Sequence, residues 1–173
     1  MEALDLRVGR SRCSSPSTRV TRETELATIL YALTADRPAA AGRQVQAHRG
    51  RLIRSTGGST VATFDSPVRA LRCAAALRED ASASGISVRA GVRAGEVEFA
   101  GEDIGGASGR VAAAVAGAAR PAEILAWRIV KDLVVGSGIA FADRGTQRRA
   151  GTAEKWPLVA VTACSRLPAR RHS

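Results

Sequence analysis

Lysine is nearly missing from this 173-residue chain. Lys131 and Lys155 are its only lysines, and the other 24 of its 26 basic residues are arginine. With 34 alanines and 17 glycines beside them, the arginines look like the imprint of a GC-rich genome and carry less functional weight than their number suggests. Phe, Tyr and Trp together make up 3% of the residues. A platform that stacks the bases of single-stranded nucleic acid has almost nothing to be built from. The three cysteines, Cys13, Cys73 and Cys164, are odd in number and far apart, with no CxxC. That argues against a disulfide framework or a zinc site and implies free thiols in a reducing compartment. His48 and His172 are the only histidines, which argues against a His-rich metal site or a compact His-based triad. Long apolar runs are absent too. The longest, residues 111–119, is nine Ala, Val and Gly residues, about half a membrane span. The N-terminus lacks the apolar stretch of about 7–15 residues that marks a secretory signal. The expectation is a soluble cytoplasmic protein with no membrane partner.

What is present is a 45% apolar chain with a net charge of +10. That charge points to nucleic acid until it is divided. Residues 1–22 carry +3, residues 163–173 another +3, and the body between them only +4. No helix-turn-helix or zinc pattern accompanies it. The reading is a flexible basic tail over 1–22, one domain over 23–162 and a basic tail over 163–173, both tails solvated. A basic nucleic-acid-binding protein remains an alternative that the tails alone would carry.

Along the body, residues 26–33 (LATILYAL) have the length and apolarity of a buried strand. Residues 39–48 predict a short helix closed by Gly50. RLIRST and STVATF, joined by Gly57-Gly58, predict a hairpin, because glycine permits the positive φ that tight turns use. Ser66-Pro67 predicts a helix start, with Ser66 as cap and Pro67 at the first position. Residues 86–94 alternate apolar and polar as a half-buried strand, with a bulge expected at Gly95. This order is the βαββαβ of a ferredoxin-like unit, an α/β (α+β) fold. After it come a helix from Ser108 broken by Pro121, a strand over 123–127, a helix over 128–134, and strands over 138–143 and 156–162.

Several of these segments together resemble class III adenylyl/guanylyl cyclase homology domains of the bacterial type. His48-Arg-Gly-Arg-Leu-Ile-Arg-Ser-Thr-Gly-Gly58 with Thr60-Val-Ala-Thr-Phe64 is similar to the family's metal-binding hairpin. Val88-Arg-Ala-Gly-Val-Arg-Ala-Gly-Glu-Val97 resembles the following strand, Gly101-Glu-Asp-Ile-Gly-Gly106 the approach to its next helix, and Phe141-Ala-Asp-Arg-Gly145 with residues 156–161 its closing hairpin. The resemblance covers roughly residues 26–162.

That resemblance implies head-to-tail dimers with active sites at the interface. It also implies two Asp carboxylates holding metal ions for phosphoryl chemistry. Here those positions fall on Leu33 and Gly58. Asp36 and Asp65 are the only nearby carboxylates and are poor substitutes. The Asn and Arg that serve the ribose and the transition state fall on Arg110 and Ala114. The phosphate-contacting Lys falls near Ala150, beside Arg148 and Arg149. The base-recognition pair falls on Arg54 and Asp103, which keep a donor and an acceptor. Gly105, Gly106 and Gly109 offer a weak phosphate-cradle pattern before the helix. The connection from Leu33 to Gly58 is also short for the family, so a short crossover would leave part of the sheet for a partner subunit to cover.

The resulting expectation is a catalytically degenerate cyclase-like domain with a regulatory or interaction role and residual ATP or GTP binding. It would pair as a homodimer, or as a heterodimer with another cyclase-type domain. No metal site or cofactor is expected; Mg²⁺ or Mn²⁺ enters only if residual cyclase activity exists. The alternative is a weak cyclase or a subunit of one.

Overall fold

The structure is a computed structural model, which describes residues 22–34, 38–148 and 153–165. Its elements run β1 (Arg22–Thr34), α1 (Pro38–Ala47), β2 (Arg51–Thr56), β3 (Ser59–Phe64), α2 (Pro67–Ser82) and β4 (Val88–Ala100). They continue as β5 (Asp103–Gly105), α3 (Gly106–Ala118), β6 (Ile124–Trp127), α4 (Arg128–Leu133), β7 (Ile139–Arg148) and β8 (Lys155–Cys164). The sheet order is β2-β3-β1-β4-β6-β8-β7, with the short β5 paired to β4 alone. Its first four strands stand in the 4-1-3-2 order of a ferredoxin-like βαββαβ unit. The C-terminal elements extend the sheet beyond β4, making the mixed α+β architecture that the sequence predicts.

Helices cover both faces. Alternation along the strands sends Leu30, Val92 and Ile124 to one side, where they pack with Val45 of α1, Leu71 of α2 and Val130 of α4. Ile29, Val61, Val97 and Phe99 point to the other side, under Ala112 of α3. Val111 and Val115 of α3 meet Leu125, Trp156 and Leu158 on that same side. At Gly91 the approach of α3 to β4 is so close that a Cβ would fall on the Ala116 backbone nitrogen and 2.6 Å from the Ala112 carbonyl oxygen. Only glycine fits there.

Several details differ from expectation. β1 begins at Arg22, inside the segment read as a tail, because it pairs with β4 over thirteen consecutive positions. β8 likewise runs on to Cys164. Residues 1–21 and 166–173 lie outside the described residues. Gly95 has φ +148, yet the β1–β4 register passes through it unbroken, so the expected bulge is not there. The irregularities fall instead between Leu52 and Arg54 and within β7–β8. Ser66 is extended and precedes α2 but makes no side-chain cap bond; Pro67 supplies the helix start. In the hairpin turn only Gly58 takes a positive φ, +103. α3 begins at Gly106, two residues before the expected start. α1 packs against β2 and α2, and Leu52 on the edge strand β2 is 41% exposed.

Candidate functional site

The face of the sheet beneath α3 carries a cleft of about 280 Å³. Tyr31 and Val61, paired across β1 and β3, belong to its wall. Arg54 enters from β2, Asp103 and Ile104 from β5, and Arg110 from the first turns of α3. Three residues singled out in the sequence, Arg54, Asp103 and Arg110, therefore share one cavity although 56 positions separate the first from the last. Arg54 Nη1 donates to Asp103 Oδ2 at 3.2 Å. Both side chains are about half exposed, 49% and 56%, so their pairing stabilises the fold by no more than about 1 kcal/mol and opens readily to a competing ligand. Asp103 Oδ1 also accepts the Ile104 amide at 2.8 Å, which fixes the carboxylate's direction.

The metal-binding corner of the resemblance lies at the end of β1. Leu33 pairs with Ser59 of β3, and by alternation it follows Tyr31 on the cleft side of the sheet. The Thr34 amide donates to the Gly58 carbonyl at 3.0 Å, bringing the hairpin turn against β1. The two positions at which the resemblance expects metal ligands thus lie side by side, and an isobutyl group and a hydrogen stand there. Asp65 lies at the other end of β3, roughly 20 Å away by strand rise, and is held by Arg69 at 2.7 Å. Asp36, Arg149 and Ala150 lie outside the described residues. Among the described residues no three His, Cys, Asp or Glu side chains gather to hold a metal. The described residues do not fit a two-metal centre.

Ala114 is exposed on α3, one turn beyond Arg110, and it is Ala113 that lines the cleft. Arg148 is exposed at the end of β7. The glycines before α3 do not make an empty cradle. Gly106 has φ +68, and the place its Cβ would take lies 2.5 Å from Glu98 Oε2. Glu98 also pairs with Arg22 at 3.5 Å. A carboxylate at the head of α3 uses the favourable end of the helix dipole and repels a phosphate.

A second group fixes α3 from below. Arg93 of β4 donates to Ser108 Oγ at 2.9 Å and to the Glu96 carbonyl at 3.2 Å. Its guanidinium also lies 5.4 Å from the centre of the Trp127 ring. Ser108 in turn donates to the Glu96 carbonyl at 2.7 Å. Burial lowers the Arg93 pKa. Tyr31, Val61 and the Arg93 network were not singled out in the sequence. Tyr31 carried a signal, since it stands two residues before Leu33 on the same strand face. Arg93 carried none, because in a chain with this much arginine it reads as the polar half of an alternating strand.

With strand order, cleft and converging hairpin in view, the chain has the fold of class III adenylate/guanylate cyclase domains. It superposes on an adenylate/guanylate cyclase/hydrolase from Silicibacter pomeroyi with a TM-score of 0.72 and 22% identity, covering 82% of this chain and 98% of that one. The adenylyl cyclase CyaB of P. aeruginosa matches with a TM-score of 0.72, 16% identity and coverage of 84% and 98%. The guanylate cyclase domain of RhGC from Catenaria anguillulae, determined in complex with GTP, matches at 0.69 and 13% identity, over 83% of this chain and all of that one. No protein-family model and no curated protein matches the sequence. No helix among the described residues is long and apolar enough to cross a membrane.

Proposed function

We propose that this chain is a nucleotide-cyclase-like domain that no longer catalyses cyclisation and that acts in regulation or interaction, with residual purine-nucleotide binding. The observation that carries this reading is the contrast between the two ends of the cleft. At the hairpin corner, Leu33 and Gly58 offer no side-chain carboxylate, so these two positions supply neither half of the carboxylate clamp that two-metal phosphoryl chemistry uses. At the other end, Arg54 offers N–H donors and Asp103 offers acceptor oxygens. A purine edge presents both kinds of group, and a structural neighbour holds GTP. The partner in this reading is a second copy or another cyclase-type domain.

The test is turnover of ATP and of GTP with Mn²⁺. The purified protein is expected to match its Asp103→Ala variant at background level; product formation well above that variant overturns the reading. The retained Arg54–Asp103 pair favours one second reading, a subunit that completes the active site of another cyclase. Mixing with an active cyclase domain tests it: a rise in cyclic-nucleotide output supports the subunit reading, and no change leaves the regulatory one.

A further inference from the structure

On the opposite side of the sheet from the α3 cleft, a groove of roughly 550 Å³ lies between the C-terminal end of α1 and the outer face of α2. That volume is within the range of about 300–1,000 Å³ typical of small-molecule sites. Its wall carries Arg49, Arg69, Arg72 and His48 against Glu79 and Asp80.

Most of these charges are already engaged. Asp65 holds Arg69 through both carboxylate oxygens at 2.7 and 2.8 Å. Asp80 accepts from Gln44 Nε2 at 2.6 Å, His48 is bonded through Nδ1 to the Gln44 carbonyl, and Glu79 has a partner. Arg72 is the exception. It is half-buried, and one terminal nitrogen donates to the Ser137 carbonyl at 3.3 Å. Its Nε is buried without a hydrogen-bond partner. A buried guanidinium N–H without a partner carries a desolvation cost, and the side chain's terminal nitrogens are left to bind whatever anion the groove admits. Arg49 stands on the same groove in a left-handed conformation, φ +57, just past the end of α1. Between the cations the wall is methyl groups, from Ala47, Ala75 and Ala76.

We propose that this groove receives the oxyanion group, phosphate or carboxylate, of a small ligand, with Arg72 as its central donor and Arg49 as a second cation. The guanidinium fork matches the two oxygens of either group, and the alanine wall accommodates an apolar body. This inference does not depend on what the α3 cleft binds.

The experiment titrates the protein with inorganic phosphate and, separately, with acetate, at ionic strength held constant with chloride. Binding is read from the melting temperature and from amide shifts. Saturable binding of either anion is expected, weakened at least tenfold in Arg72→Gln and unchanged in Arg110→Gln. A response to phosphate alone assigns a phosphate ligand, and a response to acetate alone assigns a carboxylate ligand. If Arg72→Gln does not fold, the exposed Arg49→Ala carries the test, with weakening of at least threefold expected. No saturable response to either anion overturns the proposal. So does a response that survives these groove variants but disappears in Arg110→Gln, which would place the anion in the α3 cleft.

Discussion

The Thr34 amide and the Gly58 carbonyl meet at 3.0 Å, joining the end of the first strand to the turn of the first hairpin. That bond sets side by side the two positions, Leu33 and Gly58, at which the resemblance expects carboxylates. The positions are therefore available for restoration. A Cβ at Gly58 would meet nothing nearer than the Thr34 carbonyl oxygen at 3.8 Å. Its φ of +103 makes a side chain there cost about 1–3 kcal/mol of backbone strain. The double variant Leu33→Asp/Gly58→Asp is expected to gain a Mn²⁺-dependent rise in melting temperature that the parent protein lacks. A thermal melt with and without MnCl₂ checks it, and equal responses in the two proteins would count against the convergence described here.

Gly91 is the tightest point between sheet and helix. Gly91→Ala has no flexible side chain to displace, since both nearest atoms belong to the α3 backbone. The helix must lift away from β4, and overpacking of that kind costs about 3 kcal/mol. Urea unfolding of the variant against the parent measures it. A loss under about 0.5 kcal/mol, the scale of a surface substitution, would show that α3 moves freely.

Acid should expose one ion pair in particular. Arg144 donates to Glu123 from Nε at 2.6 Å and from a terminal nitrogen at 3.1 Å. The Arg144 hydrogen bond holds the Glu123 carboxyl below its ordinary value of 4.5, with burial acting against it. A carboxyl whose folded pKa is depressed contributes stability that is complete above its unfolded pKa and is lost as pH falls through the folded one. Unfolding free energy is thus expected to fall with acidification below about pH 4.5, and less steeply in Glu123→Gln. Parallel slopes for the two proteins would remove Glu123 from the account.

Thiol chemistry separates the two described cysteines. Burial pushes the Cys73 thiol up to about 12, and it also raises that of the half-exposed Cys164. At pH 8 the thiolate fraction of Cys73 is then about one in ten thousand. Iodoacetamide followed by peptide mass spectrometry should label Cys164 first and reach Cys73 only on unfolding. Labelling of Cys73 in the native protein at a comparable rate would overturn the packing of α2 against the sheet.

Much of this was legible in the residues. The hairpin around Gly57-Gly58, the start of α2 at Pro67 and the alternation of 88–94 each carry local chemistry that tertiary contacts do not override. They suffice for the βαββαβ order. Strand lengths were not legible. Arg22 to Glu25 are polar and precede the apolar run at 26–33, and only pairing with β4 makes them part of the strand. β5 escaped because three residues carry no period. Of the cleft, Arg54 and Asp103 stood out by motif, and the fold sets them 3.2 Å apart. Glu98 beside Gly106 was invisible, because a glycine pattern says nothing about which carboxylate fills it.

The joint between β4 and its two neighbours is unequal. On one side it is laced to β1 by thirteen register positions; on the other it meets β6 in parallel over only three, Ala90 to Val92 against Ile124 to Ala126. The β-ladder therefore has a seam here, bridged by α3, by the bond from the Ala90 amide to the Glu123 carbonyl and by the core that Val92 shares with Ile124 and Val130. Regions with few cross-contacts open as cooperative units at lower free energy than the whole. Amide hydrogen exchange should resolve a C-terminal unit of β6, β7 and β8 that opens before the β1–β4 ribbon.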